Sequence, residues 1–214
     1  HQRCAVKGIR QVIAIIDYGA GNLFSVKNAL DYIGERSIIT ADVSVIRQAD
    51  ALILPGVGAF SDAMERLNQS ALIEVLCQET ARKPLLGICL GMQALFEDGY
   101  EFTHTKGLGL IPGSVKRIDF RVGEQQKLPQ IGWNQLELKQ ECPLLKGIAD
   151  GDCVYFVHSY MAYASAEYVA ATCDYGTTVT AFVQNGNVYG AQFHPEKSGE
   201  VGLTILRNFG GLVK

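Results

Sequence analysis

The chain has 214 residues, of which 48% are apolar and 19% are charged, and its formal net charge is −3. This composition is typical of a globular protein with a substantial core, and it excludes a disordered chain. Since there is no basic run, nucleic-acid binding is not expected, and no apolar stretch approaches the roughly 20 residues that a membrane-spanning helix needs.

The polar N-terminal stretch, residues 1–11, lacks a starting methionine and shows no clear hydrophobic period. We interpret it as an N-terminal extension or a tag remnant and exclude it from the fold. Residues 12–214 contain no linker-like segment rich in Pro, Gly or Ser and no internal repeat. We therefore expect them to form one domain.

The first half of the chain alternates apolar strands with amphipathic helices. Short apolar runs predict strands over residues 12–16, 37–40, 50–54 and 84–88. Apolar residues at helical spacing predict helices over residues 23–33 and 64–76. This order predicts an α/β fold with a doubly wound, largely parallel sheet and helices on both faces. In such sheets the functional groups lie at the carboxyl ends of the strands.

The second half is rich in strands. Strand candidates occupy residues 114–118, 132–138, 153–160, 168–173, 178–184 and 188–193, and a closing helix is predicted over 201–209. The dipeptide Asn185-Gly186 between two of these candidates predicts a β-hairpin.

One cysteine occupies a tight strand-to-helix junction. Cys89 follows a predicted strand, precedes a helix-like pattern, and has Gly87 and Gly91 on either side. This is the cysteine form of a nucleophile elbow, in which the apex residue has strained backbone and flanking side chains would collide. A thiol at a helix N-terminus is favoured as thiolate, the reactive form. The alternative is a small buried cysteine between packed glycines.

A second motif supplies a base and an acid. His194-Pro195-Glu196 ends a predicted strand, and Pro195 biases His194 towards extended backbone so that Glu196 can turn back to the imidazole. A base oriented by a carboxylate is what a thiol nucleophile needs. By itself such a turn has no catalytic meaning, but together with the elbow it predicts a Cys-His-Glu triad. His104, in a polar loop, and His158, at a strand end, are weaker candidates.

A tetrahedral intermediate also needs hydrogen-bond donors. The amide of Leu90, directly after the cysteine, is one candidate. The glycine turn that contains Val57 and Gly58 is predicted at a neighbouring strand end and is another. An ordinary structural turn is the alternative for this second stretch.

These motifs resemble a known family. Gly87–Gly91 and His194–Glu196 are similar to the corresponding motifs of class I (triad) glutamine amidotransferases, whose fold is flavodoxin-like. Further stretches resemble the histidine-pathway branch of that family, the glutaminase subunits of imidazole glycerol phosphate synthase. They are residues 17–22, 55–60, 132–134, 155–160 and 194–198. The resemblance covers residue 12 to the end.

The resemblance implies hydrolysis of L-glutamine. Cys89 would attack the side-chain amide to form a thioester, His194 would act as base and then as acid towards the departing ammonia, and Glu196 would orient His194. The substrate-binding positions that it implies are Gln93, Glu101 (for the α-amino group) and the backbone at Ser159 and Tyr160.

The resemblance also implies a partner and no cofactor. Ammonia would pass through the protein interior to a (β/α)8-barrel cyclase subunit, which makes imidazole glycerol phosphate in histidine biosynthesis. Asn22, Trp133, Tyr155 and Lys197 match positions that face the cyclase in such heterodimers. The chain has no P-loop and only a poor dinucleotide fingerprint.

The spacing of the cysteines bears on metal binding and on cellular location. The six cysteines show no C-x-x-C pattern and no framework spacing, so we expect no metal site and a reducing, cytoplasmic location. Three rivals stay open: an amidotransferase subunit of anthranilate or guanylate synthesis, a flavodoxin-like redox or stress protein with an oxidisable Cys89, and a catalytically inactive interaction module.

Overall fold

The computed structural model describes residues 11–213. The predicted extension, residues 1–11, lies outside the described residues except for Gln11. Between residues 11 and 213, no helix is both long and apolar enough to cross a membrane.

Between residues 11 and 213 the structure contains fourteen strands, six α-helices and three single-turn 3-10 helices. The strands are β1 (Ile13–Ile16), β2 (Ser37–Thr40), β3 (Ala51–Gly56), β4 (Leu85–Cys89), β5 (Phe96–Glu101), β6 (Thr103–Lys106), β7 (Ile111–Arg117), β8 (Gln130–Gln135), β9 (Glu137–Leu138), β10 (Cys153–His158), β11 (Tyr160–Tyr163), β12 (Val169–Asp174), β13 (Thr178–Asn185) and β14 (Val188–Ala191). The helices are α1 (Leu23–Tyr32), α2 (Val43–Gln48), α3 (Phe60–Gln69), α4 (Leu72–Glu79), α5 (Leu90–Gln93) and α6 (Gly199–Gly211).

The largest sheet has eight strands in the order β2-β1-β3-β4-β14-β13-β12-β9. The pairs from β2 to β14 are parallel, and those from β14 to β9 are antiparallel. The predicted doubly wound, largely parallel sheet is confirmed, as is the strand-rich second half. The predicted hairpin is also confirmed, since Asn185 pairs with Val188 across it.

Helices cover both faces of this sheet, and each face has its own core. Along β1, Ile13 and Ile15 point into one core and Ala14 and Ile16 into the other, and all four are buried. Helices α1 and α6 cover the first face, and α2, α3 and α4 cover the second. Burial on both faces explains why these strands are continuous apolar runs.

Two smaller sheets flank the large one. Strands β11-β7-β5-β6 form one, and the antiparallel pair β10-β8 forms the other. The predicted strand over 153–160 is interrupted at Ser159, where the chain passes from β10 to β11 and thus from one small sheet to the other.

The helix after the elbow is shorter than the apolar pattern indicates, because the chain leaves α5 after one turn and enters β5. The carbonyl of Ala94, which a longer helix would use internally, accepts instead from the Leu108 amide at 2.8 Å. Gly99 in β5 then lies directly against the Phe60 ring, where a Cβ would approach a ring carbon to 2.4 Å. The predicted helix over 64–76 is likewise divided into α3 and α4 at Ala71, whose φ is +54°.

Candidate active site

Cys89 lies at the apex of the turn between β4 and α5. Its backbone has φ +55° and ψ −112°, a conformation that is strained for a residue with a side chain. The flanking glycines are required by close contacts: a Cβ on Gly87 would lie 2.6 Å from the Gly91 carbonyl oxygen, and one on Gly91 would lie 1.8 Å from that of Leu54. The predicted elbow is therefore present, and side chains at its flanks would collide with backbone.

Parallel pairing carries the other predicted groups to the same edge of the sheet. Gly56 on β3 is in register with Cys89, and Ala191 on β14 is in register with Ile88. A cavity of about 530 Å³ opens at this edge. The predicted residues that line it are Val57, Gly58, Cys89, Leu90, Gln93, Glu101, Ser159, Tyr160 and His194.

His194 and Glu196 form a buried pair behind the cavity. The imidazole Nδ1 lies 2.8 Å from Glu196 Oε1, and the two side chains are only 3% and 1% exposed. The turn that carries them is fixed by Ser198, whose hydroxyl donates to the His194 carbonyl at 2.6 Å and accepts from the Tyr155 amide at 3.0 Å. The carboxylate thus sets the orientation of the ring.

Two neighbours control the charge of His194. Burial on its own lowers the pKa of this imidazole, but hydrogen bonding and charge from Cys89 and Glu196 outweigh burial and raise it to about 9. Since Nδ1 is taken by Glu196, Nε2 is the nitrogen left for the thiol, and this nitrogen has no hydrogen-bond partner among the described residues. At neutral pH the ring is an imidazolium, which favours the thiolate of a neighbouring cysteine.

The sulfur of Cys89 has two further polar neighbours. The Val157 carbonyl oxygen lies 3.9 Å from Sγ, and the side-chain amide nitrogen Nε2 of Gln192 lies 3.8 Å from it. Gln192 is fully buried and was not singled out in the sequence. One feature of the sequence could have identified it: Gln192 is an amide residue at the end of an apolar run, two positions before His194, and this spacing in an extended chain puts both side chains on the same face.

Gln93 and Glu101 are held by protein groups while they line the cavity. Gln93 Nε2 donates to the Tyr160 carbonyl at 2.9 Å and to Gln192 Oε1 at 3.0 Å. Both N–H groups of Gln93 are thereby used, so its carbonyl oxygen is the atom left to receive a ligand. One carboxylate oxygen of Glu101 accepts from the Phe60 amide at 2.9 Å at the start of α3, which leaves the other for a cationic group.

The glycine turn after β3 is held in place by a hydrogen bond from the side chain of Tyr18. The phenol of Tyr18 donates to the Pro55 carbonyl at 2.8 Å, and a Cβ on Gly56 would lie 2.5 Å from that phenol oxygen. Burial is the main cause that raises the pKa of Tyr18. Beyond this anchor Gly58 has φ +106° and Val57 is half exposed, so the peptide between them borders the cavity.

The remaining histidines have different surroundings. His158 is buried, with Nδ1 2.7 Å from the Tyr160 carbonyl oxygen and Nε2 2.9 Å from Gln130 Oε1, and burial lowers its pKa to about 4. His104 is exposed and lies 2.6 Å from Asp98. Within residues 11–213 no group of three or more His, Cys, Asp or Glu side chains is arranged to hold a metal ion.

The residues predicted to face a partner lie around the turn that carries His194 and Glu196. Trp133 is 56% exposed, and its ring lies 6.0 Å from that of Tyr155, its cross-strand neighbour. Lys197 is exposed and directly follows Glu196, while Asn22 is half-buried at the N-terminus of α1, which packs on the same turn. The Tyr155 carbonyl accepts from the His194 amide at 3.0 Å, so this strand touches the catalytic turn directly.

Comparison with known proteins places this site in a family. Residues 14–211 match the family model described as glutamine amidotransferase class-I. The chain is 52% identical over 204 residues to "Imidazole glycerol phosphate synthase subunit HisH" of Bacillus cereus strain G9842, covering 95% of this chain and 96% of that one. It is 51% identical over 205 residues to the protein of the same name from Bacillus thuringiensis strain Al Hakam, with the same coverage.

Solved structures share the fold at low sequence identity. One titled "Crystal structure of glutamine amidotransferase" has a TM-score of 0.73 and 18% identity, covering 94% of this chain and 98% of that one. One titled "Structure of PurLQS from Thermotoga maritima" also has a TM-score of 0.73, with 19% identity over 96% of this chain and 100% of that one. The resemblance of the motifs is thus confirmed: this chain belongs to the class-I glutamine amidotransferase family and, within it, to the HisH proteins.

Proposed function

We propose that residues 12–214 form one glutamine amidotransferase domain that hydrolyses L-glutamine and passes the ammonia to a cyclase subunit of imidazole glycerol phosphate synthase, in the cytoplasm. The observation that carries the proposal is that His194, whose Nδ1 lies 2.8 Å from the buried carboxylate of Glu196, lines the same cavity as the strained Cys89. The amidotransferase family and the name of the relatives supply the substrate and the pathway.

The first step is attack by Cys89 on the side-chain carbonyl carbon of glutamine. The Cys89 proton resides on His194 Nε2, which is why an imidazole pKa of about 9 suits the reaction: the ring holds the proton until a stronger base is present. That base is the departing amine of the tetrahedral intermediate. As the C–N bond breaks, His194 gives up its proton, ammonia leaves, and a γ-glutamyl thioester remains on Cys89.

The second step returns the enzyme to its starting state. His194, now neutral, takes a proton from water, and the resulting nucleophile attacks the thioester carbonyl. The C–S bond breaks, glutamate leaves, and the sulfur is again paired with the imidazolium. Throughout both steps Glu196 holds Nδ1 and stabilises the charged ring.

We assign binding of the substrate and of the oxyanion to residues that line the cavity. The amide of Leu90, which heads α5 and has no intrahelical acceptor, and the peptide between Val57 and Gly58 are the donors for the oxyanion. The free oxygen of Glu101 suits the α-ammonium group of glutamine. The carbonyl of Gln93 and the backbone at Ser159 and Tyr160 complete the site.

Release of ammonia calls for a second subunit. In water at neutral pH ammonia is protonated and loses its nucleophilicity, so transfer must bypass bulk solvent. We assign the contact with a (β/α)8-barrel cyclase to the surface formed by Asn22, Trp133, Tyr155 and Lys197. An exposed tryptophan packed edge-on against a tyrosine is a typical interface anchor.

The test is release of glutamate by the purified chain, with and without the cyclase subunit. Cys89→Ala should reduce glutamate release to background, and the cyclase should stimulate the unaltered chain. Cys153→Ala, which changes an exposed thiol on β10 that does not line the cavity, is the matched control and should keep full activity. Glutamate release that survives Cys89→Ala would refute the proposal.

A further inference from the structure

A buried amide side chain contacts the nucleophile from the strand that also delivers the base. Gln192 is 0% exposed, follows β14, and places Nε2 3.8 Å from Cys89 Sγ. Gln192 lies against the sulfur, His194 lines the same cavity, and Phe193 between them points into the core. The mechanism derived above does not use this amide.

The orientation of the amide is fixed by a backbone carbonyl. The Tyr160 carbonyl can only accept, so the group of Gln93 that lies 2.9 Å from it must be the NH2 group. The second proton of that NH2 group points at Gln192, 3.0 Å away, and this makes the facing atom of Gln192 its oxygen. The NH2 group of Gln192 is therefore the one that faces the sulfur.

The sulfur needs such a donor when it is ionised. In the thiol form S–H can donate to the Val157 carbonyl, 3.9 Å away, but that same carbonyl dipole opposes a thiolate. Helix α5 comprises only four residues, so few peptide dipoles are aligned behind the sulfur. An N–H group pointed at the sulfur offsets the carbonyl and favours the charged form.

We propose that Gln192 is a further catalytic residue, whose side-chain amide donates a hydrogen bond to the Cys89 thiolate, and that Gln93 is a positioning residue that holds Gln192 in this orientation. The proposal rests on the proposed function, in which Cys89 is the nucleophile. The titratable and charged groups around the sulfur are His194 with Glu196 behind it, Tyr18 beneath the neighbouring strand, and four groups that line the same cavity, His158, Glu101, Arg117 and Tyr160.

The test is the pH dependence of alkylation of Cys89 by iodoacetamide, followed on its own peptide by mass spectrometry with the exposed Cys153 as internal reference. Gln192→Met keeps the volume and removes the donor. It should move the alkylation midpoint upward by about one pH unit, equivalent to a roughly tenfold smaller ionisation constant of the thiol. Gln93→Met should produce a smaller upward shift, because Gln192 then loses its orienting contact.

Gln184→Met, on the same hairpin but at the far end of β13, is the matched control and should keep the unaltered midpoint.

A second measurement needs no variant at position 192: in the unaltered protein the side-chain amide protons of Gln192 should shift with the same midpoint in an NMR titration, and the shift should vanish in Cys89→Ala. A folded Gln192→Met protein with the unaltered midpoint overturns the proposal. If that variant does not fold, the NMR titration of the unaltered protein decides: side-chain amide protons of Gln192 that do not shift as Cys89 ionises overturn the proposal. Neither measurement depends on glutamine turnover, so its failure is distinct from failure of the proposed function.

Discussion

Replacing Glu196 by Gln removes the charge behind the base and leaves the shape of the pair intact. The pKa of His194 is raised from 6.5 to about 9 by Cys89 and Glu196 together, against the opposing effect of burial. That difference corresponds to roughly 3 kcal/mol between the protonated and neutral ring. Glu196 is one of the two groups that stabilise the imidazolium, so loss of its charge should weaken imidazolium formation by roughly tenfold.

The variant should therefore lower the pKa of His194 by about one unit, and it should lower kcat/KM for glutamine at least tenfold because the ring also loses the carboxylate that orients it. The loss in kcat/KM becomes larger if the new amide donates its N–H to Nδ1, because the proton then sits on Nε2 of a neutral ring that cannot take one from the thiol. Two measurements check this: an NMR titration of the His194 ring, and initial rates of glutamate release with the cyclase at saturation.

The control is Glu200→Gln, which neutralises an exposed carboxylate paired with Arg207 on α6. This control should leave both the titration and the rate unchanged. If Glu196→Gln gives the same His194 midpoint and the same kcat/KM as the unaltered chain, the carboxylate does not act on the imidazole and the assigned triad is wrong.

Two further predictions concern stability. Gly91→Ala should lower the free energy of unfolding by about 1–3 kcal/mol or more, because its Cβ would meet the Leu54 carbonyl oxygen. Gly211 has open space around it, so Gly211→Ala should leave the free energy of unfolding unchanged. Urea unfolding of the two variants tests this difference. The pKa of His158 is lowered to about 4 in the folded chain, so the unfolded state binds more protons between pH 4 and 6.5. Stability should thus fall by up to roughly 3 kcal/mol as pH drops through that window, and His158→Gln should remove this component of the pH dependence; a variant with an unchanged pH dependence would contradict the assignment.

The placement of the site could be predicted from the sequence because it depends on strands alone. Runs that are apolar at every position require a sheet covered on both faces, and parallel strands bring their carboxyl ends to one edge. Cys89, the Gly58 turn and His194 each follow such a run. The structure brings all three to one cavity.

Features set by contacts between distant segments could not be predicted. The apolar spacing after Cys89 fits a longer helix, yet α5 ends after one turn because the Leu108 amide takes the Ala94 carbonyl. Gln192 has the same limitation, because only the folded chain shows which atom its amide meets. Helix α2 is an exception, because its start is set locally by Asp42, whose carboxylate accepts from the amides of Ser44 and Val45; this six-residue helix was not predicted.

The catalytic geometry depends on the register of one strand. A slip of one residue between β14 and β4 would displace Gln192 and His194, which directly follow β14, from their places beside Cys89. The register pairs Gly190 with Gly87, and the α5 turn packs over both: a Cβ on Gly190 would lie 2.6 Å from the Met92 side chain. Any other register would place a side chain where the elbow needs open space. The glycines that allow the strained cysteine therefore also align the base with it, so the nucleophile and its base are set by the same packing contact.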